Sequence, residues 1–231
     1  MGVIAENLSR VRQQIEEAAI EAGRSPGDIT LVGVSKFHPY NEVNEALAAG
    51  LRDLGENRAQ ELCGKYGSLV SPEGFNMHFI GHLQTNKVKQ IIGFADLIQS
   101  VDSLKLLDEI DRQAKAAGKI QDVLIELNIS GEKSKTGAEP AMLDGLLCHA
   151  GELSCVRVRG LMGMAPLDSP GDKARPYFAG LYKLFVDMRV KKYDNVSMDI
   201  VSMGMSGDFK AAIAEGSTMV RIGTAIFGSR V

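Results

Sequence analysis

The feature that most constrains this chain is an alternation of eight short apolar runs with stretches of helical spacing. The runs are Thr30–Lys36, Leu51–Gly55, Met77–Gly81, Leu97–Val101, Asp122–Asn128, Val156–Met162, Val196–Met203 and Met219–Thr224. Strand and helix in strict turn argue for a parallel sheet, because parallel strands need a crossover and a helix is the usual one. Eight such units in 231 residues fit a closed barrel better than an open sheet. No glycine-rich dinucleotide-binding turn follows the first run, which also disfavours an open doubly wound sheet.

The expected fold is therefore α/β, a single (β/α)₈ TIM barrel spanning residues 1–231 as one domain. Ahead of the first run, Ile4, Leu8, Val11, Ile15, Ala18 and Ala19 recur at helical steps and predict an extra N-terminal helix that stops at Gly23. It is expected on the outside or across the bottom of the barrel. Helices over Tyr40–Ala49, Leu104–Ala117 and Ser206–Glu215 are expected to stop at Gly50, Gly118 and Gly216. Ser103 is the expected N-cap of the second of these, and Ser206 with Asp208 opens the third.

The net charge of −3 excludes a basic footprint for nucleic acid and a polybasic membrane anchor. No apolar run approaches the roughly 18 residues of a membrane span. Glu6 and Arg10 stand where a secretory signal would be apolar, so the expected location is cytoplasmic. Cys63, Cys148 and Cys155 are odd in number and lack metal-site spacing, and they are read as buried structural thiols.

The chemistry of such a barrel sits at the C-terminal ends of its strands. Strand alternation puts Val32, Val34 and Lys36 on one face and Leu31, Gly33 and Ser35 on the other. If the valines fill the barrel, Lys36 points inward at its mouth, where partial desolvation favours an amine able to attack a carbonyl. The other reading is a lysine reaching out to solvent. Strand seven runs into Ser202–Asp208 and strand eight into Arg221–Thr224, two turns that pair glycine with hydroxyls. They suit a phosphate, and they also suit ordinary turn chemistry. Asn57 is either a pocket donor or a helix cap. His78 and His82 lie about 13 Å apart along a strand, too far to share a metal; His82 is a candidate pocket residue and His78 a structural one. The segment 130–137, with Lys133 and Lys135, has the composition of a mobile cover.

Several stretches carry a resemblance. VGVSKF around Lys36, LGENRAQE at 54–61, HFIGHLQTNK at 78–87, KTG at 135–137, GLMGM at 160–164, SMGMSGDFKAAI at 202–213 and GSTMVRIGTAIFG at 216–228 span the chain in order. Together they resemble the pyridoxal phosphate homeostasis protein family, a single-barrel relative of the N-terminal domain of alanine racemase. The resemblance implies a PLP-binding barrel with pyridoxal 5′-phosphate (PLP) as a Schiff base on Lys36. It implies Ser206, Gly223 and Thr224 around the phosphate, Arg221 at the pyridine nitrogen, and Asn57 in the pocket. It implies a role in intracellular PLP (vitamin B6) homeostasis with little turnover and no assigned catalytic residue or metal. PLP-dependent apoenzymes are the candidate recipients, and the chain is expected to be a monomer. The alternative is an amino-acid racemase of the alanine racemase type.

Overall fold

The structure, a computed structural model, describes residues 2–71, 74–132 and 136–228. The chain begins with α1 (Val3–Glu21) and then alternates: β1 (Thr30–Val34), α2 (Tyr40–Ala48), β2 (Asp53–Glu56), α3 (Ala59–Tyr66), β3 (Asn76–Phe79) and α4 (Val88–Ile91). It continues through β4 (Leu97–Val101), α5 (Leu104–Ala116), β5 (Gln121–Leu127), α6 (Leu143–Glu152), β6 (Val156–Gly163) and α7 (Arg175–Arg189). β7 (Val196–Ser202), α8 (Phe209–Ala214), β8 (Met219–Ile222) and α9 (Thr224–Phe227) complete it. The strands pair in parallel in sequence order, and β8 returns to β1 with Thr30 opposite Met219 and Gly33 opposite Ile222. The barrel is closed, as the alternation predicts. Among the described residues no helix is long and apolar enough to cross a membrane.

The helix stops follow from backbone conformation. Gly23, Gly50, Gly118 and Gly216 all have positive φ, the left-handed geometry that ends a helix at little cost only for glycine. The buried face of α1 is Ile4, Leu8, Val11, Ile15, Ala18 and Ala19, and it packs outside the barrel against α2, α8 and α9. Three local expectations need correction. Ser103 occupies the N-cap position of α5, but its side chain makes no capping bond; its backbone oxygen accepts from Leu106 and Leu107. Helix α8 starts at Phe209, because Asp208 folds back so that its Oδ1 accepts from Met205 N at 2.6 Å and holds residues 205–208 as a turn. Cys148 is exposed: α6 buries Leu143, Leu146, Leu147 and Ala150, and Cys148 falls on the opposite face, while Cys63 and Cys155 are half-buried.

Most apolar burial lies between the strands and the helix ring, whereas the barrel interior holds a small cluster of Val32, Leu97, Leu124, Met162 and Met219. The alternation of β1 is as read from sequence, with Val32 inside. Strand spacing is adjusted at Gly160, where the register of β6 shifts against both neighbours. Its φ is 149°, and a Cβ there would lie 1.8 Å from Ile200 O.

The layer outside β1 and β2 contains one buried ion pair. Glu56 has no solvent exposure, and its Oε1 accepts from Lys65 Nζ at 2.7 Å and from Ser35 Oγ at 2.8 Å. Burial pushes the Glu56 carboxyl up, against the opposing pull of Lys65 and Ser35.

Two predictions follow from this packing. Gly160→Ala combines backbone strain with a steric clash, and overpacking alone costs about 1–3 kcal/mol. A loss of about 3 kcal/mol is expected, read as a melting temperature lower by roughly 6–12 °C; an unchanged melting temperature would mean that the bulge relaxes freely. Lys65→Met leaves the buried carboxylate unpaired, at an expected cost of about 3–5 kcal/mol near neutral pH. A carboxyl whose folded pKa is raised binds its proton more tightly in the folded state, so stability falls as pH rises from the ordinary carboxylate value through the folded one. The variant's deficit should therefore shrink on acidification to about pH 5. Urea titrations at the two pH values decide it, and equal deficits at both count against the coupling.

Candidate functional site

β1 ends at Val34, and Lys36 stands in the turn that follows, half-buried at the barrel mouth. The turn is closed by His38 N donating to Ser35 O at 3.1 Å, and Phe37 has φ 66°. That conformation costs a non-glycine residue roughly 1–2 kcal/mol, so surrounding contacts must hold it. They come from α3 and the residue before it. Phe37 N donates to Glu61 Oε2 at 2.8 Å, Lys65 Nζ donates to Ser35 O at 2.8 Å, and the Arg58 guanidinium lies 4.8 Å from the Phe37 ring centroid. Ser35 faces outward to Glu56, the side opposite to Val32, which is the phase the sequence predicts.

Barrel closure sets the neighbours of this turn. β8 lies on one side, and a Cβ on Gly223 would come within 3.1 Å of Val34 O and 3.3 Å of Val34 Cβ, so the two strand ends run close together there and a side chain would have to push them slightly apart. Thr224 follows it at the exposed start of α9. Arg221 N donates to Gly204 O at 3.0 Å, which ties the turn after β7, with Ser206, to the end of β8. Among the described residues, no protein group bonds the Ser206 or Thr224 hydroxyls.

β2 lies on the other side, where Ser35 N donates to Gly55 O at 3.0 Å, and Asn57 follows two residues later. Asn57 does not cap α3: the N-cap position is Arg58, and among the described residues the buried Asn57 Oδ1 has no hydrogen-bond partner. A Cβ on Gly81 would lie 2.2 Å from Asn57 O, so that glycine lets the end of β3 close against Asn57.

Arg221 is buried inside the barrel. Its Nη1 donates to Ser202 Oγ at 2.5 Å and its Nη2 to Gly163 O at 3.1 Å. Burial pulls the guanidinium down to about 10, against the attraction of Glu126 and Asp208, which leaves it charged at neutral pH. Glu126 is also buried; burial pushes its carboxyl up, opposed by Thr136 Oγ1 donating at 2.6 Å. Sequence reading missed Glu126. The signal was its phase with inward-facing Leu124 on β5, two residues before it.

The mouth between β5, β6 and the turn after β7 opens into a cavity of about 210 Å³, lined in part by Glu126, Asn128, Thr136, Met164 and Met205. A larger groove of about 670 Å³ lies outside, between α1 and α2, and contains no strand-end residue. His82 is on the exposed rim, with Nδ1 3.8 Å from Asp102 Oδ2, whereas His78 is inside the barrel. Lys133 and Lys135 of the expected cover lie outside the described residues.

Lys36, Asn57, Ser206, Gly223 and Thr224 are thus gathered at one end of the barrel, with Arg221 just beneath. An amine, two hydroxyls, a glycine cradle and a fixed cation, with the orphaned Asn57 oxygen as an acceptor beside them, form a set that fits an aldehyde carrying a phosphate.

Residues 4–231 match the family described as alanine racemase, N-terminal domain. A pyridoxal phosphate homeostasis protein of Aquifex aeolicus is 46% identical over 226 residues, covering 97% of this chain and 97% of that protein. Among solved structures, PipY of Synechococcus elongatus PCC7942 with PLP bound is similar at a TM-score of 0.85 and 34% identity, over 97% of this chain and 100% of that one. Alanine racemase of Clostridium difficile 630 shares the fold, at a TM-score of 0.69 and 18% identity over 96% of this chain and 56% of that one. The chain belongs to the alanine racemase N-terminal domain family, and within it to the pyridoxal phosphate homeostasis proteins.

Proposed function

We propose that this protein binds PLP at the barrel mouth as a Schiff base on Lys36, and that it serves intracellular PLP homeostasis with little turnover. The observation that carries the reading is the meeting of the Lys36 turn with the Gly223–Thr224 turn across the β1–β8 seam. Phosphate and aldehyde of one small molecule can then be held by the two ends of the chain at once. The curated relative's name and the PLP-bound neighbour support the same ligand.

In this reading each residue has a limited task. Lys36 supplies the nucleophilic amine, on a turn held from behind by Glu61 and Lys65. Ser206, Gly223 and Thr224 take the phosphate, helped by first-turn N–H groups that have no partner within their helix. Asn57 offers its orphaned amide oxygen to the ligand. Arg221 faces the ring nitrogen. When bound, PLP supplies an electron sink whose strength depends on the group at that nitrogen. A guanidinium with a pKa of about 10 donates a hydrogen bond there and does not give up its proton at neutral pH. That arrangement keeps the sink weak and suits holding over turnover. The same reading takes residues 1–231 as one domain, a cytoplasmic monomer that releases PLP to PLP-dependent apoenzymes.

Borohydride reduction of the PLP-loaded protein is expected to fix the cofactor on Lys36 as the main adduct, mapped by peptide mass spectrometry. A dominant adduct on another lysine would remove the central claim. Pyridoxal, which lacks the phosphate, should bind weaker by a factor on the order of 10², the equivalent of two lost charge-assisted hydrogen bonds. Equal affinities in a spectrophotometric titration would reduce the turns after β7 and β8 to structural elements.

A further inference from the structure

The barrel interior contains an unbroken line of polar side chains running from one end to the other. At the C-terminal end, Arg221 Nη1 meets Ser202 Oγ at 2.5 Å. Ser202 Oγ lies 2.7 Å from Gln99 Oε1, and Gln99 Nε2 lies 2.8 Å from His78 Nδ1. His78 Nε2 is 3.1 Å from Asp53 Oδ1, at the N-terminal end of the barrel. Ser202 and Gln99 have no solvent exposure, and His78 has 3%.

The ends of the line fix its direction. A guanidinium only donates and a carboxylate only accepts. Ser202, Gln99 and His78 can each take one hydrogen bond and give one. All four contacts are then satisfied in one sense: Arg221 donates to Ser202, Ser202 to Gln99 Oε1, Gln99 Nε2 to His78 Nδ1, and His78 Nε2–H to Asp53. This requires the neutral His78 tautomer with its proton on Nε2. If Nδ1 carried the proton, the Gln99 amide would turn over, and donors from both sides would meet at Ser202. The hydroxyl proton of Ser202 would then be left in a buried site without an acceptor, an expensive arrangement. Asn76 Nδ2 donates to the same Asp53 Oδ1 at 2.9 Å and steadies the acceptor end.

Among the described residues, Arg221 makes no ion pair within the usual 4 Å, so its place depends on Ser202, Gly163 O and what stands behind them. We propose that Ser202, Gln99 and His78 are positioning residues for the bound cofactor, a one-directional hydrogen-bond chain anchored on Asp53 that fixes the Arg221 guanidinium beneath the ring. The assignment rests on the PLP reading given above. It makes a residue at the far end of the barrel, without contact to the mouth, part of the ligand site.

The experiment compares Asp53→Leu, Asp53→Asn and Gln99→Leu with wild type, measuring PLP affinity and the absorbance band of the bound cofactor. Asp53→Leu and Gln99→Leu are expected to weaken PLP binding about tenfold, the equivalent of about 1.4 kcal/mol, and to shift the band. Asp53→Asn, which keeps an acceptor for His78, should return both to within about twofold of wild type, a rescue that a merely structural role would not give. Leu variants with wild-type affinity and an unmoved band overturn the relay, as does an Asn variant no better than Leu. Should the Leu variants fail to fold, nitrogen NMR of His78 in the wild-type protein decides without them. A proton on Nε2 alone is the expected state, and a proton on Nδ1 overturns the direction of the chain. A wild-type protein that takes up no PLP would instead defeat the cofactor reading itself, which separates the two failures.

Discussion

Pairing of the first strand with the last is the contact on which the rest depends. A parallel sheet of eight strands left open would present two unpaired edges, each a row of backbone groups seeking partners. Joining β1 to β8 removes both edges and brings Lys36 and Gly223, from opposite ends of the chain, to the same rim. The extra helix α1 reinforces this seam from outside. It packs against α2, which follows β1, and against α8 and α9, which flank β8. Asn7 Nδ2 donates to Ile226 O at 3.0 Å, and Arg24 Nη1 donates to Ser217 O at 2.6 Å and to Ile213 O at 3.1 Å. Residues with no part in the chemistry therefore hold the two halves of the candidate site together.

Closure also divides the molecule into two environments with different tasks. Between strands and helices the packing is apolar, with Glu56 and Lys65 as a paired exception; this layer supplies most of the hydrophobic stabilisation. Inside, a ring of eight strands leaves room for few side chains, and here Val32, Leu97, Leu124, Met162 and Met219 share the space with Arg221, Gln99 and His78. Burying that guanidinium is costly. The cost is offset by hydrogen bonds on two sides and by the charges of Glu126 and Asp208 at longer range. At the other end, burial would raise the Asp53 carboxyl, but hydrogen bonds from His78 and Asn76 outweigh it and hold it below the usual range. Cation and anion at opposite ends are joined through neutral groups, so neither charge stands alone in the interior.

The sequence made the scaffold legible because its rules are local. Strand phase follows from alternation along five to eight residues, which is why the outward Ser35 could be read from the positions of Val32 and Val34 alone. Helix ends follow from single glycines that tolerate positive φ, as at Gly50 and Gly118. What stayed hidden is a matter of azimuth. Alternation says that His78, Gln99 and Arg221 face inward, but which of them touch depends on strand tilt and register around the barrel, and these are properties of the closed sheet. Asn57 shows the same limit: a residue just before a helix suits a cap, and only the fold shows its Oδ1 left without a partner among the described residues. Cys148 is exposed for a different reason: the helical face it shares in α6 points away from Leu143, Leu146, Leu147 and Ala150, and this outweighs the usual burial of cysteine.

The turn that carries Lys36 shows how rigidity is achieved at the end of a strand. Phe37 adopts a conformation that glycine would take without strain. Glycine there would also widen the conformational freedom of the turn, and Lys36 would then be aimed by its own flexible side chain. With phenylalanine the strained turn persists because the surroundings over-determine it: Glu61 accepts the Phe37 amide, Lys65 bonds Ser35 O, and Arg58 covers the ring. Lys65 has two roles in this, since the same ammonium neutralises the buried Glu56 and fastens the carbonyl that closes the turn. The stability of the outer layer and the geometry of the Lys36 turn are coupled through that one charge. The end of β1 is thus held from its outward face, by α3 and by Glu56.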